Sequence, residues 1–170
     1  MNKGVSDKLK MYFPEIVKND RPDIVLPNDI DYNWFSGFFS AEGCFCIDIF
    51  KSKLSKAGYY KASRILVGQH SRDQLLISNL VNLLGCGYTW RNVKRNFIEF
   101  RVVKFEDIYH KIIPMFNLYK IKGEKYKDFE CFREAAYIIK NGDHLTLEGL
   151  NKIQKIKSKM NKNRYINDNL

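Results

Sequence analysis

From residue 31 onward, hydrophobic and polar positions follow a regular pattern. It predicts a helix, two strands, a helix, two strands and a helical C-terminal third. The stretch "DYNWFSGFFSAEG" is apolar or small almost throughout, with Asp31 placed to cap its start and Gly43 to stop it. A helix with no polar face is buried on several sides. "CFCIDIFKSK" alternates, setting Phe45, Ile47 and Ile49 on one face and Cys44, Cys46, Asp48 and Phe50 on the other. In "YYKASRILVGQH", Ser63, Ile65, Val67 and Gln69 face one way, and Tyr60, Ala62, Arg64, Leu66 and Gly68 the other. "SRDQLLISNLVNLLG" opens with a capping box, Ser71 with Gln74, carries a leucine stripe and ends at Gly85. "GYTWRNVKRNFIEFRVVKF" predicts a hairpin turning near Arg95 and Asn96. Its inward residues are Ile98, Phe100 and Val102, and its outward ones Tyr88, Trp90, Asn92, Lys94, Glu99 and Arg101. Helices follow over about 105–118, interrupted by Pro114, and over about 124–140 and 146–160.

This order describes an α+β domain on one antiparallel four-stranded sheet, spanning residues 31–161. Residues 1–30 read as a short helical turn in "SDKLKMYF" followed by a proline-rich tether, and 162–170 as a tail. Charge narrows the partners. Lys and Arg number 29 against 19 Asp and Glu, a formal charge of +10, which favours a polyanion: nucleic acid or an anionic membrane surface. No apolar run approaches the roughly 20 residues of a membrane span, and the first residues show no hydrophobic signal core. Cys44, Cys46, Cys86 and Cys131 form no C-x-x-C pair, so free thiols are expected and a zinc site is not.

Glu42 is the residue that asks for an explanation. It ends the predicted helix, where the negative end of the helix dipole disfavours a carboxylate. A bound cation or plain solvent exposure would relieve the conflict. In the same helix, Ser36 with Ser40 and Gly37 with Ala41 are i, i+4 pairs of small residues, which permit close approach of a second helix or of the chain's own sheet.

At "WFSGFFSAEGCF" the sequence resembles the LAGLIDADG homing endonucleases. Phe35 to Gly43 match the nine-letter motif, with Glu42 as its acid. "QHSRDQLL", "LLGCGY" and "FEDIYHKIIPMF" follow in the order expected for the family. The likeness runs from about residue 28 to 161 and is to the second half of the two-copy fungal mitochondrial members, including the segment that joins their halves. It implies a single LAGLIDADG domain, α-β-β-α-β-β-α with extra C-terminal helices. In this reading Ser36, Gly37, Ser40 and Ala41 form the seam of a homodimer. Glu42 and the Ala41 carbonyl hold Mg2+ for phosphodiester hydrolysis on a palindromic or near-palindromic double-stranded DNA site. Lys120 and Lys122, in "YKIKGEK", lie where a charge-stabilising lysine of the family is often found, and Gln69 is a further catalytic candidate. A mitochondrial location is implied by the resemblance alone and agrees with the bare N-terminus.

The sheet's outer face then becomes a reader of the major groove. Its candidates are Asp48, Phe50, Tyr60, Arg64, Leu66, Tyr88, Trp90, Asn92, Lys94, Glu99 and Arg101. Lys51, Lys53, Lys61 and Arg95 add positive charge in the hairpin regions, where the loop lysines would meet phosphates. Arg64 and Arg101 are candidate guanine readers and Asn92 a candidate adenine reader. An ordinary half-solvated sheet alternates in the same way. A binding-only or RNA-splicing maturase relative, or an isolated half of a two-copy enzyme, would carry the same fold and charge.

Overall fold

The computed structural model describes residues 6–16, 25–51, 59–161 and 163. Helix α1 (Asp7–Tyr12) precedes α2 (Tyr32–Glu42), β1 (Gly43–Lys51), β2 (Tyr59–His70), α3 (Gln74–Leu84), β3 (Tyr88–Asn92) and β4 (Phe97–Val102). The C-terminal third comprises α4 (Phe105–Asp107), a π-helical turn (Ile108–Ile112), α5 (Ile113–Leu118), α6 (Lys125–Lys140) and α7 (Leu147–Ser158). The strands form one antiparallel sheet in the order β1-β2-β4-β3. This is the predicted α+β class.

Helices α2, α3 and α6 cover one face of that sheet. Phe45, Ile47, Ile65, Val67, Ile98, Phe100 and Val102 point into the core as the period-2 pattern requires. Beneath α2 the core is aromatic. The Phe39 ring lies 4.8 Å from Phe45 and 4.9 Å from Phe116, centroid to centroid, and all three residues are fully buried. Asp31 caps α2 as expected, its Oδ1 accepting from the backbone N–H groups of Asn33 (2.8 Å) and Trp34 (3.2 Å).

Several local expectations are corrected. The Ser71–Gln74 capping box does not form. Ser71 N donates to Asn96 O, and Ser71–Asp73 wind into a 3₁₀ turn capped by His70 Nδ1. A tertiary bond to the neighbouring hairpin has taken the donor. Lys94 lies in a 3₁₀ turn (Val93–Arg95) closed by Asn96 at φ 47°, not in β3. The break associated with Pro114 falls earlier than the proline itself. Pro114 has no N–H for the carbonyl four residues back and its ring crowds that carbonyl, and the preceding turn widens to π geometry, with Ile113 N bonding Ile108 O. Lys53 lies outside the described residues, as do 1–5, 17–24 and most of the C-terminal tail; for Lys51, Tyr60 and Lys61 only the strand path is described.

Gly43 stops α2 for a reason other than a left-handed cap. Its backbone is extended (φ −77°, ψ 160°), open to any residue. A β-carbon there would meet Phe39 ring atoms at 2.4–2.6 Å, and that ring is packed on several sides. Gly43→Ala is therefore expected to destabilise the fold by about 1–3 kcal/mol through overpacking, read as a lowered urea midpoint with an unchanged slope.

Candidate active site and nucleic-acid face

Helix α2 passes into β1 with no intervening loop, which puts Glu42 on an outside corner. The carboxylate is exposed and meets no cation among the described residues. The helix end is nevertheless compensated. Lys125, at the start of α6, donates from Nζ to Gly43 O at 2.6 Å, setting an ammonium against the C-terminal dipole of α2. Sequence reasoning singled out Lys120 and Lys122 in "YKIKGEK" and passed over the third lysine. Its signal was a cation at a helix N-terminus, where the dipole disfavours it unless an acceptor lies nearby.

The connection between α5 and α6 is fastened to α2. Ser36 Oγ donates to Tyr119 O (2.5 Å), Lys122 N donates to Ser40 Oγ (3.0 Å), and the Tyr32 and Tyr119 rings stack at 5.0 Å. Exposed Lys122 is thereby brought to the end of α2 that carries Glu42, while exposed Lys120 follows the Tyr119 anchor at Ser36, more than a turn earlier. Gln69 is half-buried, two residues beyond Val67, the register partner of Gly43, and so lies beside the same corner on the core side of β2.

The same hydrogen bonds correct the seam. Ser36 is buried and Ser40 is turned toward the connection, its Oγ also donating to Ser36 O at 2.6 Å. Of the four residues expected on an open face, only Gly37 and Ala41 are exposed. They share that face with Trp34 (43% exposed) and Phe38, whose rings stack at 5.2 Å. The open side of α2 is thus an apolar i, i+3, i+4, i+7 stripe, and the expectation that this helix is buried on several sides is not met within one chain.

Among the described residues no three His, Cys, Asp or Glu side chains gather in a metal-binding group. Glu42 would offer an ion one carboxylate, with Ala41 contributing one of the carbonyls that a helix C-terminus leaves without intrahelical donors. That sparse oxygen set fits a hard cation that keeps most of its waters.

On β1, Cys44 and Cys46 share the outer face with their sulfurs 3.5 Å apart. Contact with the Cys46 thiol draws Cys44 down from the usual thiol range to about 7; burial opposes this and the Lys125 ammonium assists it. Cys46 is pushed up in return. Asn161 clasps this strand, its Nδ2 donating to Phe45 O (3.0 Å) while its backbone N–H donates to buried Asp128 (2.9 Å).

The rest of the outer face is open. Phe50, Tyr88 and Trp90 are 54%, 44% and 40% exposed. Arg64 Nε stands 2.8 Å from Asp48 Oδ2, an ion pair whose N–H is turned off the hydrogen-bond line. Arg101 Nε donates to Glu99 Oε2, and its guanidinium carbon sits 4.4 Å over the centre of the Trp90 ring. Asn92 is engaged locally, its Oδ1 accepting from Arg95 N (3.2 Å), so it caps the hairpin turn instead of standing free. Leu66 pairs with Arg101 across β2 and β4, half-buried. Lys94 and Arg95 project from the hairpin turn, exposed.

Residues 35–136 match the family model for the LAGLIDADG endonucleases. The chain belongs to that family. A probable intron-encoded endonuclease 2 of Neurospora crassa is 39% identical over 94% of this chain and 36% of its own length, and a probable intron-encoded endonuclease 3 of the same fungus is 34% identical over 90% and 29%. Among solved structures, the I-SmaMI LAGLIDADG homing endonuclease bound to cleaved DNA superposes with a TM-score of 0.85 at 39% identity, over 96% of this chain and 55% of that one. I-LtrWI bound to target DNA gives 0.86 at 39%, over 96% and 54%. This LAGLIDADG chain thus spans about half the length of those solved proteins and about a third of the curated ones.

The depressed Cys44 thiol has a measurable consequence. Its iodoacetamide alkylation, followed by peptide mass spectrometry, is expected to climb as pH rises through about 7. Cys86, buried and shifted upward by that burial, stays slow across the same range. Cys46→Ala should move the Cys44 midpoint back up.

Proposed function

We propose that this chain is a catalytic unit of a sequence-specific, divalent-metal-dependent endonuclease for double-stranded DNA. One observation carries the reading. The helix whose open side is an apolar stripe ends in a single exposed carboxylate, beside a sheet whose uncovered face bears arginines and aromatic rings. Glu42 and the Ala41 carbonyl would hold Mg2+, which when bound would activate water for phosphodiester hydrolysis and offset charge on the phosphate. The calcium ions present with I-SmaMI on uncleaved DNA, likewise hard and oxygen-seeking, support this choice of metal. Lys122, and Lys120 from further back along the connection, add positive charge near the carboxylate, where the leaving oxygen becomes anionic. Gln69 orders water at the same corner. The sheet enters the major groove, with Arg64, Arg101 and the aromatic rings toward the bases and Lys94 and Arg95 toward phosphates.

One carboxylate per unit calls for a second unit across the Trp34–Gly37–Phe38–Ala41 stripe. A second copy of this chain fills that role in a C2 homodimer and favours a palindromic target. The greater length of the solved relatives favours a second reading, in which the partner unit lies in the same polypeptide and the target is asymmetric. The intron-encoded relatives from Neurospora crassa and the protein from an ND4 intron of Podospora anserina support a mitochondrial location.

Glu42→Gln is expected to lower Mg2+-dependent cleavage by at least ~100-fold while duplex affinity stays within a few-fold, since the amide keeps the shape and loses the charge. Parallel loss of binding and cleavage in a gel-shift and cleavage series would make the residue structural. Gly37→Leu separates seam from fold. A β-carbon at Gly37 meets nothing within 4 Å in this chain, so the helix should gain roughly 0.5–1 kcal/mol in stability. Unit pairing, measured by sedimentation on DNA, should fail. An unchanged mass would remove the stripe as the seam.

A further inference from the structure

Among the described residues the outer face carries two arginines, Arg64 and Arg101, and they are not held alike. The Arg64–Asp48 pair is loosely aligned, with side chains 37% and 23% exposed. Arg101 and Glu99 are 22% and 13% exposed, and Arg101 is restrained from two directions. Glu99 Oε2 accepts from Nε, while the guanidinium carbon sits over the Trp90 indole ring. Register accounts for the arrangement. Glu99 stands between Gly68 on β2 and Trp90 on β3, and Arg101 between Leu66 and Tyr88, so Trp90 is the diagonal neighbour of Arg101 on one face. Opposite Glu99, Gly68 presents no side chain to compete for its carboxylate.

The identity of the bonded nitrogen matters. A carboxylate on Nε grips the guanidinium from its side. The two terminal amino groups have no partner among the described residues. Those two groups form the fork that meets O6 and N7 of guanine bidentately. Fixing the fork before binding removes rotamer entropy that a free arginine loses on contact.

Resting on the DNA reading above, we propose that Glu99 and Trp90 are positioning residues that hold Arg101 as a preset guanine reader, giving the target a guanine requirement at one position beneath β3 and β4 for each copy of the chain bound. Glu99 also repels phosphate, so it sharpens specificity at some cost in general affinity.

The test is competition of the purified chain, in its native assembly, against a randomised duplex library, with variant melting temperatures as the folding control. Wild type should show, for each copy bound, one column with a guanine preference of roughly 5- to 150-fold, the span of a good bidentate contact. Arg101→Lys keeps the charge and loses the fork; it should flatten that column while the preferences in the other columns stay. Glu99→Ala and Trp90→Ala should weaken the same column several-fold, and Glu99→Ala should raise non-specific affinity a few-fold. A column untouched by Glu99→Ala, or a loss spread evenly over all columns, overturns the proposal and leaves the DNA reading standing. Salt-insensitive binding with no base preference in wild type sinks both.

Discussion

The contact on which the site depends is the one between the Gly43 backbone and the face of the Phe39 ring. It lets an 11-residue helix turn into a strand without a single loop residue. A bulkier residue at the corner would push β1 off the aromatic core beneath α2 or drive the ring out of it. With the corner closed, Glu42 has no room inside and stands on the outside edge. Lys125 then fastens the first carbonyl of the strand, and the two serines of α2 fasten the chain that leads to that lysine. Helix end, strand start and the approach to α6 are therefore tied together at one junction, and the Glu42 carboxylate stands on its outer edge.

Much of this was legible in the residues. The strands were, because one face of each is buried and a slip of one residue would expose its whole apolar set; Phe45 and Ile47, Ile65 and Val67, Ile98 and Phe100 leave no other register. The Asp31 cap was legible because capping is a local event between neighbours. What escaped was non-local or lacked contrast. Lys125 reaches a carbonyl 82 residues earlier, a closure no local pattern encodes. The rotation of α2 escaped because a helix of aromatic and small residues has no charged face to betray which side is in; only the Ser36 and Ser40 hydrogen bonds reveal it. The π turn required knowing that Pro114 would widen the preceding turn instead of breaking the helix.

Charge on this molecule is sorted by place. The chain as a whole is strongly basic, yet the middle of the open sheet face is nearly balanced, with Arg64 beside Asp48 and Arg101 beside Glu99. Exposed positive groups among the described residues sit at the margins, at Lys94 and Arg95 of the hairpin turn and at Lys122 near the end of α2. On the DNA reading proposed above, such a face would draw a polyanion toward its rim through long-range attraction, while its centre would add little to indiscriminate adhesion and more to recognition.

The stripe on α2 is two rows, not one. Trp34 and Phe38 stand one turn apart with their rings stacked, and Gly37 and Ala41 make the neighbouring row, which ends beside the acid. The aromatic row stands out from the helix as a ridge, while a hydrogen and a methyl leave a shallow channel along its flank. A surface of that shape complements itself: turned about a twofold axis, ridge meets channel.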